Sequence, residues 1–412
     1  MEFQKIKLHR SEKNRAAVTQ ITLDDDYNVP DYRQDIVKVI KERGELRFDE
    51  VKAMEGAAWI KGSLVFKVLY RSDKQEGKIS CLRGEIPFQE RLNMDGLSEY
   101  DAVHATGDME DLTIGVINSR KLNVRAVIVL TASSEKEVDE ELTCELSDGS
   151  SYEQNIVEKE ALKLLVVRRD ICRQKSEAVL PSSKPNIREI LWQSMQLRSV
   201  ESRLVEGKIR LSGEILVSIL YNDEEEGEHL SWYETTVPLD AQAECGVMED
   251  DCIWQVQMVP LTMELEVKPD YDGEERILVM ELALDTHIRI WKEEKIRLLT
   301  DLYSLQKEVK PVFRECPLEH LLVKNAAKCR MTEQMELKED KEKVLQICSC
   351  EGKVLLERQE IKPDGVLAEG TVEVNILYIT PDDHMPVGAV QEIYPFSQLV
   401  EIPEMSAQAK VE

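Results

Sequence analysis

Four landmarks return at one fixed interval. Pro30, Gly62, Tyr70 and Pro87 recur as Pro181, Gly213, Tyr221 and Pro238, each 151 positions later. Gly370, Tyr378 and Pro395 then follow Gly213, Tyr221 and Pro238 by 157, and Cys329-Arg330 follows Cys172-Arg173 by the same interval. Solenoid repeats are about 20–50 residues long, whereas this spacing is the size of a domain. The chain therefore reads as a tandem of related domains: 1–145, a linker at 146–162, 163–300, a linker at 301–320, and a third copy at 321–412. Position 412 corresponds to position 104 of the first copy, so "LNVRAVIVLTA" at Leu122–Ala132 has no third counterpart. The expectation is a third copy that stops short, within a longer protein.

Each copy contains Gly, seven residues, Tyr, sixteen residues, Pro. After the glycine, "GSLVFKVLY", "GEILVSILY" and "GTVEVNILY" alternate with the period of two that marks a β-strand. Polar stretches follow, "RSDKQEG", "NDEEEGE" and "TPDDHMPVG", which read as hairpin loops. The returning strand carries Pro87, Pro238 or Pro395, which donates no ladder hydrogen bond and so predicts an edge strand or a bulge. "PDYRQDIVKVIKERG" and "PSSKPNIREILWQ" predict a short helix with Ile36, Val37 and Ile40, or Ile187, Ile190 and Leu191, on its apolar face. The fold class is mainly β: tandem sandwich or open-barrel domains, each with one short helix, the third incomplete.

The net charge of −27 argues against nucleic acid, which needs a basic footprint, and against docking on an anionic membrane. No apolar run is long enough for a signal peptide core or a membrane-spanning helix, which predicts a soluble, cytoplasmic protein. Nine scattered cysteines without a C-x-x-C pair predict reduced thiols, and "CSC" at Cys348–Cys350 lacks a second zinc ligand pair. The six histidines, His9, His104, His229, His287, His320 and His384, share no position between copies. Nucleotide-binding glycine loops and hydrolase elbows are missing from the sequence. Acidic "DDD" at Asp24–Asp26 and "DEEEGE" at Asp223–Glu228 read as solvated loops, without the calcium-loop frame. No catalytic, cofactor-binding or metal residues are assigned.

Nine residues remain as a structural signature: Gly62, Tyr70, Pro87, Gly213, Tyr221, Pro238, Gly370, Tyr378 and Pro395. The tyrosines close a buried face with the hydroxyl at its edge, and the glycines mark a bulge or a close backbone approach. A sugar-stacking role for the tyrosines is the competing reading.

The tandem G-x₇-Y-x₁₆-P units, with "WIKGSLVFKVLYRSD", "RLSGEILVSILYNDE" and "DLYSLQKEVKPVFRECPL", resemble the SPOCS domain family of spore-forming anaerobes. The resemblance implies a non-enzymatic scaffold in the mother cell that tethers the basal layer of the spore coat at the forespore surface. Its implied partners are spore-coat morphogenetic proteins. Family members commonly end in a LysM module that contacts the coat ATPase, and this sequence has no LysM-like segment. The alternative is a peptidoglycan- or glycan-associated cell-wall module. The sequence leaves the oligomeric state open.

Overall fold

The computed structural model describes residues 2–72, 78–147, 152–224, 229–249, 251–306, 308–335, 343–403, 405–406 and 408–411. It is all β: β1 (Phe3–Asn28), β2 (Ile36–Met54), β3 (Ala57–Ser72), β4 (Ile79–Asn93), β5 (Val103–Asn118), β6 (Lys121–Leu146), β7 (Glu153–Val179), β8 (Ile187–Val205), β9 (Lys208–Asp223), β10 (Leu230–Glu244), β11 (Cys252–Pro269), β12 (Glu275–Tyr303), β13 (Gln346–Lys362), β14 (Gly365–Ile379) and β15 (Val387–Glu401). No helix among the described residues is long and apolar enough to cross a membrane.

Five antiparallel three-stranded sheets form, in the orders β1-β6-β5, β2-β3-β4, β11-β12-β7, β8-β9-β10 and β13-β14-β15. The first two stack face to face. Leu122, Val124, Ala126, Ile128 and Leu130 alternate along β6, all fully buried, and share one core with Leu64, Phe66 and Val68 of β3. The next two sheets repeat this, with Leu278, Met280, Leu282 and Leu284 of β12 against Ile215, Val217 and Ile219 of β9. Each is a sandwich rather than a closed barrel. A buried aliphatic side chain contributes about 1.5–3 kcal/mol, so these central strands carry most of each core. β8 and β9 begin 151 residues after β2 and β3, and β14 and β15 begin 157 residues after β9 and β10. The third set has the β13-β14-β15 sheet alone, and residues 308–335 form no strand.

The expected short helix is a turn and a strand. Arg33 N–H donates to Pro30 O and Lys184 N–H to Pro181 O, both at 2.9 Å, closing a four-residue turn before β2 and β8. An arginine clamps each turn. Arg120 reaches the carbonyls of Val29, Pro30 and Arg33 at 2.7–3.0 Å, and Arg276 reaches those of Pro181 and Lys184 at 2.7 and 3.0 Å. Two bulges follow in quick succession, at Ile36/Lys38 and Val39/Lys41 in β2 and at Ile187/Glu189 and Ile190/Trp192 in β8. Each inserts an extra residue, so a period-two strand acquires spacings that imitate a helical face.

Two further expectations change. Asp24–Asp26 are exposed residues of β1 rather than a loop, with Asp24 accepting from Asn123 at 2.8 Å and Asp26 paired to Lys121 at 2.7 Å. The first linker region, 146–162, is strand from Glu153 onward, because β7 continues the ladder with β12 there. Of the hairpin loops, residues 73–77 and 225–228 lie outside the described residues, which takes in most of "RSDKQEG" and "DEEEGE".

Candidate functional site: the shared hub and the joint between sandwiches

The signature glycines all stand against a bulge in the neighbouring strand. The ladder skips Asp49 opposite Gly62, Ser199 and Val200 opposite Gly213, and Glu357 opposite Gly370. The bulge pushes a carbonyl oxygen inward. A Cβ on Gly62 would lie 2.4 Å from Arg47 O, on Gly213 2.9 Å from Arg198 O, and on Gly370 2.1 Å from Leu355 O. Those three carbonyls are themselves 151 and 157 positions apart, so one steric demand is met three times.

The tyrosines are buried. Tyr70 donates to Gln34 O and Tyr221 to Pro185 O, each at 3.1 Å. Burial pushes both phenols up to about 12, which keeps them protonated as donors. Tyr70→Phe and Tyr221→Phe are each expected to cost about 1 kcal/mol, read by denaturant unfolding. Pro87, Pro238 and Pro395 lie on β4, β10 and β15, which are edge strands of their sheets.

The faces of β3, β9 and β14 turned away from the sandwiches meet in one hydrophobic cluster. Leu69, Leu220 and Leu377, at matched positions, are all about 1% exposed or less. Ile79, Leu230 and Val387 form a second matched set, and Ile40, Leu191 and Cys348 a third. The contacts close in a ring: β4 touches β8, β10 touches β13, and β15 touches β2. Trp192, 1% exposed, sits where the first and second sheets meet, with the ammonium groups of Lys41 and Lys67 at 5.6 and 5.5 Å from its ring. Burial lowers the pKa of both lysines, so each gives up hydration and takes the indole face instead. At the next joint, Ser218 and Ser349 are hydrogen-bonded at 3.2 Å. At the third, Arg43 pairs with Glu351 at 3.4 Å.

A second polar cluster joins the outer sheets, β1-β6-β5 and β11-β12-β7. The rings of His104 (β5) and His287 (β12) lie 5.6 Å apart. Arg169 Nε donates to both oxygens of Asp285 at 2.7 and 2.9 Å, and Arg169 Nη1 is 3.2 Å from His104 Nδ1. Glu135 pairs with Arg289 at 2.9 Å and His287 at 3.7 Å, and accepts from Ser11. Burial, then the neighbouring arginines, lowers both histidine pKa values below 6.5. The neutral rings are thus the stable form. Their contribution is complete above about pH 6.5 and falls away as pH drops through that value. Between about pH 7.5 and about pH 5.5 the thermal midpoint is expected to fall further in the natural chain than in a His104→Gln/His287→Gln variant.

Sequence reasoning did not anticipate this joint, since neither histidine recurs. It brings imidazoles and carboxylates together, but each carboxylate is engaged by an arginine, the arrangement of a structural ion-pair network. Glu249, Asp251 and Cys252 also cluster, with Lys292 bound to both carboxylates. Burial raises the Cys252 thiol pKa. All nine cysteines are free thiols.

Fold and hub together define a class: an all-β chain of stacked sheets whose repeated hairpins serve to hold surfaces together. The family model described as "SipL, SPOCS domain" matches residues 35–117, spanning β2 to β5, and 343–412, spanning β13 to β15. These two parts of the chain are thus similar to the SPOCS domain. β8–β10 lie outside the matched residues, yet they have the strand lengths, glycine, tyrosine and proline of the matched sheets. Neither the curated proteins nor the solved structures gave a match.

Proposed function

We propose that the protein is a non-enzymatic adaptor in spore-coat assembly, binding coat morphogenetic proteins through its repeated β-units. The observation that carries this reading is the SPOCS domain match on the first and third sheets of the hub. Supporting it, the signature glycines and tyrosines are spent on backbone fit and core packing and not on a chemical site. Several weak contacts on one rigid body raise avidity without any strong single site. The setting that goes with the reading is the mother-cell cytoplasm at the forespore surface, and the coat ATPase is the partner to test first.

The test is capture of coat proteins from sporulating cells on the purified chain, together with coat morphology in a deletion strain. Coat proteins retained, and coats detached or mislocalised, are the expected results. Intact coats in the deletion strain would sink the proposal. Retention on peptidoglycan instead would favour the cell-wall reading.

A further inference from the structure

The joints of the hub are built from matched positions, yet the first is polar where the second is apolar. Between the turn before β2 and the strands β4, β8 and β9 lies a pocket of about 200 Å³, several times the ~30 Å³ that a water molecule takes up. Adding 151 to its first-copy residues and 157 to its second-copy residues gives the same place at the next joint. There Gln34 becomes Pro185, Arg188 becomes Leu345 and Asn222 becomes Ile379. Ile379 packs on the hub cluster, and the Lys184 ammonium lies 4.5 Å from the Trp232 ring. Packing of the hub therefore does not require two amides and a guanidinium at this place.

The protein itself does not satisfy the polar groups of the pocket. Asn222 is 6% exposed and Ser80 8%, and both line it. Among the described residues, neither the Asn222 amide nor the Ser80 hydroxyl has a hydrogen-bond partner in the chain. Gln34 Oε1 is buried without one as well. The Tyr70 hydroxyl does not help, because it donates to Gln34 O. An unpaired buried polar group costs about 1–3 kcal/mol, so three in one pocket call for hydrogen-bonding groups from outside the chain. Charge at the mouth sets the sign. Arg33, Lys78 and Arg188 line it with a single carboxylate, Glu189, which pairs with Arg33 at 2.8 Å. This is a positive rim on a chain whose net charge is −27. Tyr32, 81% exposed, adds an aromatic face beside these polar groups.

We propose that this pocket binds a small anionic polyol, of which a sugar acid is the class that fits. Its hydroxyls donate to Gln34 Oε1 and exchange hydrogen bonds with Asn222 and Ser80. Its carboxylate meets the guanidinium of Arg188, and the C–H face of its ring lies on Tyr32. The contacts come from both the first and the second hub sheet, so the ligand bridges them and holds their joint closed. A ligand that binds only the folded chain also raises its stability. The inference stands apart from the coat-assembly reading, because it depends on this one joint alone.

The test uses the full chain with D-glucuronate as the probe, followed by titration calorimetry and thermal unfolding. D-glucose supplies the hydroxyls without the charge, and acetate supplies the charge without the hydroxyls. The expected result is that glucuronate binds and raises the unfolding midpoint, while glucose and acetate bind about tenfold or more weakly. Asn222→Ile and Arg188→Leu install the residues of the next joint and should keep the fold. Each should weaken glucuronate binding about tenfold or more without lowering the midpoint of the ligand-free chain. Four results would overturn the proposal. They are no binding of glucuronate, which would leave water as the only occupant, equal binding of glucose, equal binding of acetate, and unchanged glucuronate affinity in both variants.

Discussion

Trp192→Ala is expected to destabilise the chain by about 3–5 kcal/mol, the range for removing a buried large aromatic side chain. The effect should spread beyond β8. Trp192 belongs to the cluster shared by all three hub sheets, and its ring is the surface on which Lys41 and Lys67 lie. Without it, two desolvated ammonium groups border a cavity. Exchange should therefore quicken in β2–β4 as well as in β8–β10. Trp192→Phe should be far milder, because the buried indole Nε1 has no hydrogen-bond partner to lose. Denaturant unfolding monitored by far-UV circular dichroism measures both. Equal losses for Ala and Phe would mean that the indole edge, and not ring volume, holds the joint.

Gly62→Val is expected to cost about 3 kcal/mol, at the upper end for overpacking. The obstacle is the Arg47 carbonyl oxygen, 2.4 Å from the new Cβ, and the Phe88 ring edge, 2.9 Å away. A side chain can move aside, but this carbonyl is fixed by the bulge at Asp49 and by the ladder on both sides of it. Gly370→Val should behave alike, with Leu355 O at 2.1 Å. Gly115, with open space around it, is the control: Gly115→Ala should be nearly neutral. Thermal unfolding of the three variants distinguishes a steric role for the signature from a merely compositional one.

Much of this architecture was legible in the chain because identical local demands leave identical residues. The glycine, tyrosine and proline intervals mark the three hub sheets, and the alternation after each glycine marks their central strands. The helix assigned to Ile36–Ile40 failed for a definite reason: two bulges within six residues destroy period two. The clamp by Arg120 and Arg276 comes from about 90 residues away and leaves no local signal. The hub did leave one. "ILVSILY" is buried on both faces of β9, and leucine recurs at 69, 220 and 377 on the side turned away from the sandwich. An apolar residue kept on the supposed solvent face of every copy signals a second partner surface. The histidine joint left none, since it gathers residues from five strands at unmatched positions.

The ring of contacts among the hub sheets has a consequence for how such a chain can vary. Each sheet offers its third strand to the first strand of the next, a head-to-tail arrangement that closes on itself after three steps. A linear array grows or shrinks by one unit with little penalty, because only end surfaces change. A closed ring has no ends. Deleting one unit would leave two unmatched surfaces, and inserting a fourth would force the ring open or change every crossing angle in it. Among the described residues the geometry thus couples the three sheets, so that a change of packing at any one joint bears on the other two.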